Sequence, residues 1–144
     1  MVLMDYLVPC YYSTRVIEKS ESLDTKNQLD FTLINKSIYW AKKYHEGQFR
    51  NSGKPFYTHP LEVAYMVSDY KLNTGVIVTS VLHNIVEDTE VTTEMILDTF
   101  GWRIAEMVDR VTRDRPDGSK LSVEHIINNA YHLKDKEVLL IKLF

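Results

Sequence analysis

The sequence predicts an all-α fold, because successive segments place apolar residues three and four positions apart along the chain. The clearest case is the run at 76–82. It is apolar on more than one face and therefore predicts a central, buried helix. Residues that begin or end helices separate the segments: Asp30 or Thr32 and then Thr92 suit N-caps, and Gly47 suits the end of a helix.

These signals define the helices in chain order. Pro60 suits the first position of a helix, since its missing N–H would have no partner there. Thr92 opens a helix that ends at a glycine, and Ser122 opens a later one. The helical segments have the approximate bounds 30–47, 60–68, 74–87, 92–101, 104–111, 122–133 and 137–144.

Composition limits the class of protein. A chain of 144 residues, 44% hydrophobic and 26% charged, has the size and content of one soluble globular domain. The net charge of -3 argues against broad binding to nucleic acid or to an anionic membrane. Cys10 is the single cysteine, which excludes an internal disulfide and a cysteine-based zinc site and favours the cytoplasm.

The two ends of the chain differ from its middle. Residues 1–28 begin apolar and aromatic and turn polar near 20–27, so we predict an N-terminal appendage followed by one domain at 29–144. The segment 137–144 is apolar to its last residue and has no C-cap. We therefore expect the domain to be incomplete at its C-terminus. We also expect this apolar helix to be a surface for a protein partner or for self-association.

Polar residues end the buried central helix. Residues 83–89 read H-N-I-V-E-D-T, and polar groups in a core are costly unless they are paired or ligated. His83 and Glu87 are four positions apart, so they share a face of a continuous helix. The alternative is a helix that emerges into solvent with an acidic tail.

The segment 48–60 is rich in glycine, proline, serine and asparagine and predicts a loop. Its cations Arg50 and Lys54 suit phosphates or a base, because a guanidinium both stacks and forks onto oxyanions. The alternative is an ordinary solvated loop. His59, at the start of the next helix, is a cap or packing residue unless a second histidine is brought close to it.

Two of these stretches resemble one family. Residues 45–60 read H-E-G-Q-F-R-N-S-G-K-P-F-Y-T-H-P and are similar to the first signature of the RelA/SpoT hydrolase domain. Residues 82–89 resemble its second signature, L-L-H-D-x-x-E-D-T, and the stretches at 100–101 and 108–113 resemble its F-G and V-x-x-V-T-K. The resemblance covers about residues 31–144. It implies an HD-superfamily bundle of about six to seven helices.

The resemblance also implies an activity. The family's domain removes pyrophosphate from the 3′ position of the alarmone (p)ppGpp, giving GDP or GTP, with Mn²⁺. Glu87 and Asp88 match the pair that acts on the water, and Arg50 and Ser52 match the loop that holds the guanine nucleotide, with Lys54 as an addition. His59, His83 and Asn84 stand at metal-ligand positions.

The metal motif departs from the family at Asn84, where the family has aspartate. A later aspartate of the family, in a D-R-L-H-N motif, falls just beyond Phe144. Mn²⁺ prefers hard oxygen ligands alongside imidazole, and two histidines with one amide bring no charge. We expect doubtful Mn²⁺ binding and impaired hydrolysis, unless Glu87 and Asp88 recruit a metal in another geometry.

Three functions follow from this reading. The first is a (p)ppGpp 3′-pyrophosphohydrolase, weakened in this form. The second is a non-catalytic module that binds a guanine nucleotide or a protein. The third is a decaying fragment with no function beyond folding.

Overall fold

The computed structural model describes residue 6 and residues 8–115 and 117–144. Within these residues the chain is helical and forms no β-strand, which confirms the all-α prediction. The described helices are α1 (Tyr11–Leu23), α2 (Phe31–Tyr44), α3 (Thr58–Val67), α4 (Thr74–Leu82), α5 (Ile85–Asp88), α6 (Thr93–Phe100), α7 (Trp102–Val111), α8 (Val123–His132) and α9 (Lys136–Leu143).

Short polar side chains begin several helices as the sequence predicted. Asp30, rather than Thr32, accepts a hydrogen bond from the N–H of the third residue of α2, at 3.1 Å. Thr92 does the same for α6 at 3.2 Å, and Ser122 for α8 at 3.0 Å. Each bond satisfies an N–H that has no partner inside the helix, so local sequence fixes where these helices begin.

Helix α4 lies at the centre of the bundle. All of its residues from Val76 to Leu82 are buried, and it packs against α2, α3 and α7. Burial on every side explains why its sequence is apolar around more than one face. Through these contacts the central helix fixes the position of α3, which follows the loop at 48–57.

Helix α1 packs on α3. Val16 of α1 is 1% exposed and belongs to the main core, and Lys19 Nζ donates to the Tyr65 carbonyl at 2.6 Å and pairs with Asp69 at 2.7 Å. The residues 8–28 of the predicted appendage therefore touch the bundle directly. Residues 1–5 and 7 lie outside the described residues, and the domain boundary at 28/29 stays a prediction.

The central helix is shorter than predicted. A continuous helix over 74–87 is wrong, because α4 ends at Leu82 and α5 begins at Ile85. The imidazole of His83 bonds to the Ser80 carbonyl at 2.6 Å. In a continuous helix that carbonyl would accept from the N–H of Asn84. The His83 side chain therefore takes the carbonyl that a continuing helix would use, and a turn forms at residues 83–84. Because of this turn, His83 and Glu87 do not share one continuous helix.

The last helix, α9, is largely packed. Val138 and Ile141 are buried in a second core cluster, whereas Leu143 is 65% exposed and Phe144 40% exposed. These two terminal side chains are the most exposed apolar ones of residues 136–144, and a partner stays a prediction. No helix of the described part has both the length and the apolar character needed to cross a bilayer.

Candidate functional site

A cavity of about 600 Å³ opens between the loop at 48–57, the start of α3 and the α4–α5 turn. This volume lies within the usual range for small-molecule sites. The residues that line the cavity are Phe49, Arg50, Asn51, Ser52, Phe56, His59, Asn84 and Asp88. The fold therefore brings together residues that the two sequence signatures hold about thirty positions apart.

The loop at 48–57 is closed by its own backbone. The N–H of Phe56 donates to the Gln48 carbonyl at 2.8 Å, and Arg50 and Lys54 are joined by a backbone bond of the same length. At its tip, Gly53 has φ +88°, in the left-handed region that glycine adopts without strain. The closed loop directs polar residues of its tip toward the cavity.

Arg50 is held at the edge of this cavity. Its Nη1 donates to Glu62 at 3.1 Å and to Thr58 at 3.3 Å, both on α3. In the described part of the chain no partner is seen for its Nε or Nη2. A guanidinium anchored at one nitrogen keeps further donors for a phosphate or a base.

Two histidines meet beside the cavity. The ring centroids of His59 and His83 are 5.5 Å apart. Because the Ser80 carbonyl only accepts, His83 Nδ1 must donate to it, so the lone pair lies on Nε2. Burial lowers the pKa of His83 to about 4, and burial followed by the charge of Arg50 lowers the pKa of His59. Both rings are therefore neutral at pH 7, the form that binds metals.

Asn84 adds an amide oxygen. Its Oδ1 is buried and finds no hydrogen-bond donor among the described residues. Such an atom is costly and suits a ligand that supplies a donor or a cation.

The residues present do not form a complete Mn²⁺ site. No group of three or more His, Cys, Asp or Glu side chains could hold a metal within the described part of the structure. Two imidazoles and one amide oxygen offer neutral ligands, whereas Mn²⁺ favours carboxylates. Mn²⁺ binding at these residues therefore stays a prediction.

The two acidic residues predicted to act on water, Glu87 and Asp88, point to different places. Asp88 lines the cavity, and its pKa is raised by burial and then by the nearby carboxylates Glu87 and Asp114. Glu87 does not line the cavity, and its carboxylate instead accepts a hydrogen bond from the backbone N–H of Arg113. Only Asp88 is placed to face a bound ligand.

Lys54 also turns away from the cavity. It is exposed, and its ammonium lies 5.6 Å from the ring centroid of Tyr12 on α1. The phenol of Tyr12 raises the pKa of Lys54, so the side chain stays charged. The geometry groups Lys54 with the N-terminal helix rather than with Arg50 and Ser52.

Sequence reasoning gave no role to several residues of the site. Phe49, Asn51 and Phe56 line the cavity, Gln48 donates to the backbone carbonyl of Asp88, and His45 bonds to Gln48. All five lie inside the first signature, which was the signal that could have found them.

A comparison with family models places the chain. The HD domain model matches residues 37–125, which is more than half of the chain. The chain belongs to the HD domain family, and its helical bundle with a histidine-lined cavity agrees with this assignment.

Within that family the chain is similar to the RelA/SpoT proteins. A Myxococcus xanthus protein named GTP pyrophosphokinase is 43% identical over 84 residues, 58% of this chain and 11% of that protein. A Mycoplasma genitalium protein named probable guanosine-3′,5′-bis(diphosphate) 3′-pyrophosphohydrolase is 32% identical over 130 residues, 90% of this chain and 16% of that protein. The chain thus spans less than a fifth of the length of these relatives.

A solved structure shares the fold. It is described as a metazoan ortholog of SpoT that hydrolyzes ppGpp and plays a role in starvation responses. It aligns with a TM-score of 0.60 and 25% identity, covering 77% of this chain and 64% of that one.

Proposed function

We propose that this chain is a (p)ppGpp-directed hydrolase domain that removes the 3′ pyrophosphate, with Mn²⁺ as the expected metal and activity reduced by Asn84. One observation carries the proposal. A single cavity joins the polar loop residues Arg50 and Ser52 to His59, Asn84 and Asp88. The Mycoplasma genitalium relative, named for this reaction, and the solved structure, described as hydrolyzing ppGpp, support it.

The loop would bind the nucleotide. The guanidinium of Arg50 would donate to two phosphate oxygens at once or stack on the guanine, and the Ser52 hydroxyl would add a hydrogen bond. The base and phosphates of (p)ppGpp are then held at the loop while a pyrophosphate group reaches α5.

The turn at 83–84 and α5 would act on the reacting end. Water attacks the phosphorus bound to the 3′ oxygen, the bond between that oxygen and phosphorus breaks, and pyrophosphate leaves. The 3′ oxygen takes a proton from solvent, so the nucleoside keeps a 3′ hydroxyl. Asp88 accepts the proton of the water, and its raised pKa makes it a better base than an ordinary aspartate. In this proposal His59, His83 and Asn84 are the neutral ligands offered to the metal.

The test combines metal binding with turnover. Metal-stripped protein is titrated with Mn²⁺ by calorimetry and then assayed for release of GDP from ppGpp. We expect weak Mn²⁺ binding and slow turnover, both lost in His83→Ala and both retained in His125→Ala, whose histidine is exposed on α8. Turnover that survives His83→Ala would refute the proposed site.

A second function is favoured by the uncharged ligands around Asn84. In that case the cavity binds a guanine nucleotide without a metal and without turnover. Equilibrium dialysis with ppGpp in EDTA separates the two: micromolar binding with no hydrolysis after Mn²⁺ is added supports the binding module. A cytoplasmic setting, expected from the single cysteine, belongs to both proposals.

A further inference from the structure

Gln48 connects the two sides of the cavity. Its Nε2 donates to the backbone carbonyl of Asp88 at 2.7 Å, across 40 positions of sequence. Its Oε1 faces His45 Nδ1 at 2.9 Å. Each end of this one amide therefore has a partner, and the side chain has a single defined orientation.

That orientation follows from hydrogen-bond chemistry. The Asp88 carbonyl can only accept, so the amide nitrogen of Gln48 must point to it and the amide oxygen must point to His45. His45 must then carry its proton on Nδ1. The His45 side chain is 1% exposed and its ring centroid lies 4.8 Å from that of Phe56, with the two rings tilted, so packing fixes the imidazole that donates to Gln48.

The main chain of Gln48 also forms a hydrogen bond within the loop. Its carbonyl accepts from Phe56 and closes the neck of the loop at 48–57. Among the described residues, the bond from Gln48 to Asp88 is the one hydrogen bond that joins this loop to residues 83–88. The same residue thus closes the loop and fixes it to the opposite side.

We propose that Gln48 is a positioning residue that sets the width of the cavity between the nucleotide-binding loop and Asp88. The proposal rests on the proposed function for the identity of the ligand. (p)ppGpp would touch both sides at once, so its affinity depends on their separation. An unlinked loop must be ordered when the ligand binds, which costs conformational entropy.

Two substitutions separate the two ends of the bridge. Gln48→Met keeps the length of the side chain and removes both hydrogen bonds. Gln48→Glu keeps an acceptor for His45 Nδ1 but sets a carboxylate against the Asp88 carbonyl, so it removes only the link across the cavity. Gln28→Met is the matched control, because Gln28 is exposed in the loop between α1 and α2.

The first readout is the protein alone. Amide hydrogen exchange is followed by NMR at the loop N–H groups of Gly53 and Phe56, with Ala105 of α7 as an internal reference. The ¹⁵N spectrum of His45 reports whether Nδ1 keeps its proton. We expect the exchange rates of the loop amides to rise about tenfold in both Gln48 variants. The exchange rate of Ala105 should stay constant in these variants, and the loop rates should stay constant in Gln28→Met. The His45 signal should persist in Gln48→Glu.

The second readout is ppGpp binding in EDTA by equilibrium dialysis. We expect the Kd to rise about fivefold to tenfold in both Gln48 variants, the value of one hydrogen bond, and to stay constant in Gln28→Met. Gln48→Glu that binds ppGpp as the wild type does overturns the proposal, since the link to Asp88 would then be without effect.

The two proposals can fail separately. Loop amides that exchange at the wild-type rate in both Gln48 variants overturn the positioning role whether or not ppGpp binds. If the loop amides exchange faster in the Gln48 variants but the wild-type protein does not bind ppGpp, the positioning role of Gln48 is supported and the proposed function is wrong about the ligand.

Discussion

The two sides of the cavity are built differently. The loop side, residues 48–57, is closed by its own backbone bonds and carries a guanidinium whose Nε and Nη2 have no partner among the described residues. The junction side, residues 83–88, offers a neutral imidazole, one carboxylate facing the cavity and an amide oxygen without a donor in the described part of the chain. In the proposed function, nucleotide recognition and hydrolysis therefore rest on separate elements. A single residue such as Asn84 is then expected to weaken hydrolysis while nucleotide recognition stays intact.

The largest effect is expected from restoring charge on the junction side. Asn84→Asp places a carboxylate beside His59 and His83, and Mn²⁺ affinity should rise by at least about tenfold, because metal ligands tolerate little change in their chemistry. Titration calorimetry with Mn²⁺ measures the gain, and ppGpp turnover should rise with it.

Asn51→Asp is the matched control for this change. Asn51 is exposed on the loop side of the same cavity, so it adds an equal charge away from the two histidines. An equal gain in Mn²⁺ affinity from Asn51→Asp would mean that charge in the cavity, and not a ligand at residue 84, attracts the ion.

The next effect concerns the pH dependence of folding. The pKa of His83 is about 4 in the folded chain and 6.5 as its ordinary value, so the unfolded chain binds the proton more tightly. This contribution to stability is complete above pH 6.5 and is lost as the pH falls toward 4. Between pH 7.5 and pH 5 it should amount to about 2 kcal/mol in the free energy of unfolding.

Urea unfolding in EDTA at these two pH values measures that contribution. His83→Gln removes the titrating ring and should reduce the loss of stability on acidification, whereas His125→Gln, at an exposed position, should leave it unchanged. An unaltered pH dependence in His83→Gln would show that His83 is not held neutral by burial.

An intermediate effect is expected on the loop side. Arg50→Ala removes a charged donor and should weaken ppGpp binding in EDTA by about tenfold, because hydrogen bonds to charged groups contribute about 1.5–3 kcal/mol. Lys36→Ala, on the exposed face of α2, removes the same charge outside the cavity. Mn²⁺ affinity should be the same in both variants, and a parallel loss in Arg50→Ala would contradict the division into two sides.

The sequence predicted what depends on local signals. The caps at Asp30, Thr92 and Ser122 and the buried run at 76–82 are confirmed, since each follows from neighbours within one or two turns. The break after Leu82 could not be read in the same way. It accompanies a bond from the His83 ring to a backbone carbonyl, which no apolar spacing reports.

The sequence resemblance named residues of the candidate site, but it did not give the direction in which each side chain points. The resemblance to the family implied that Arg50, His59 and Asp88 belong to one site, and all three line the cavity. The direction in which each side chain points depends on contacts between distant elements. Glu87 turns to the backbone of Arg113 and Lys54 to the ring of Tyr12. Arg113 lies in the stretch that resembles V-x-x-V-T-K, which carried no predicted role, and Tyr12 lies outside the resemblance.

Lys54 therefore provides the smallest expected effect and a sharp test of the loop side. Its charge is exposed beside Tyr12 and outside the cavity lining, so Lys54→Ala should change the Kd for ppGpp by less than about twofold, as for an exposed charge far from its ligand. Equilibrium dialysis beside Arg50→Ala gives the comparison. A loss as large as that of Arg50→Ala would mean that Lys54 turns inward when the nucleotide binds, and that the loop side extends to its whole cationic surface.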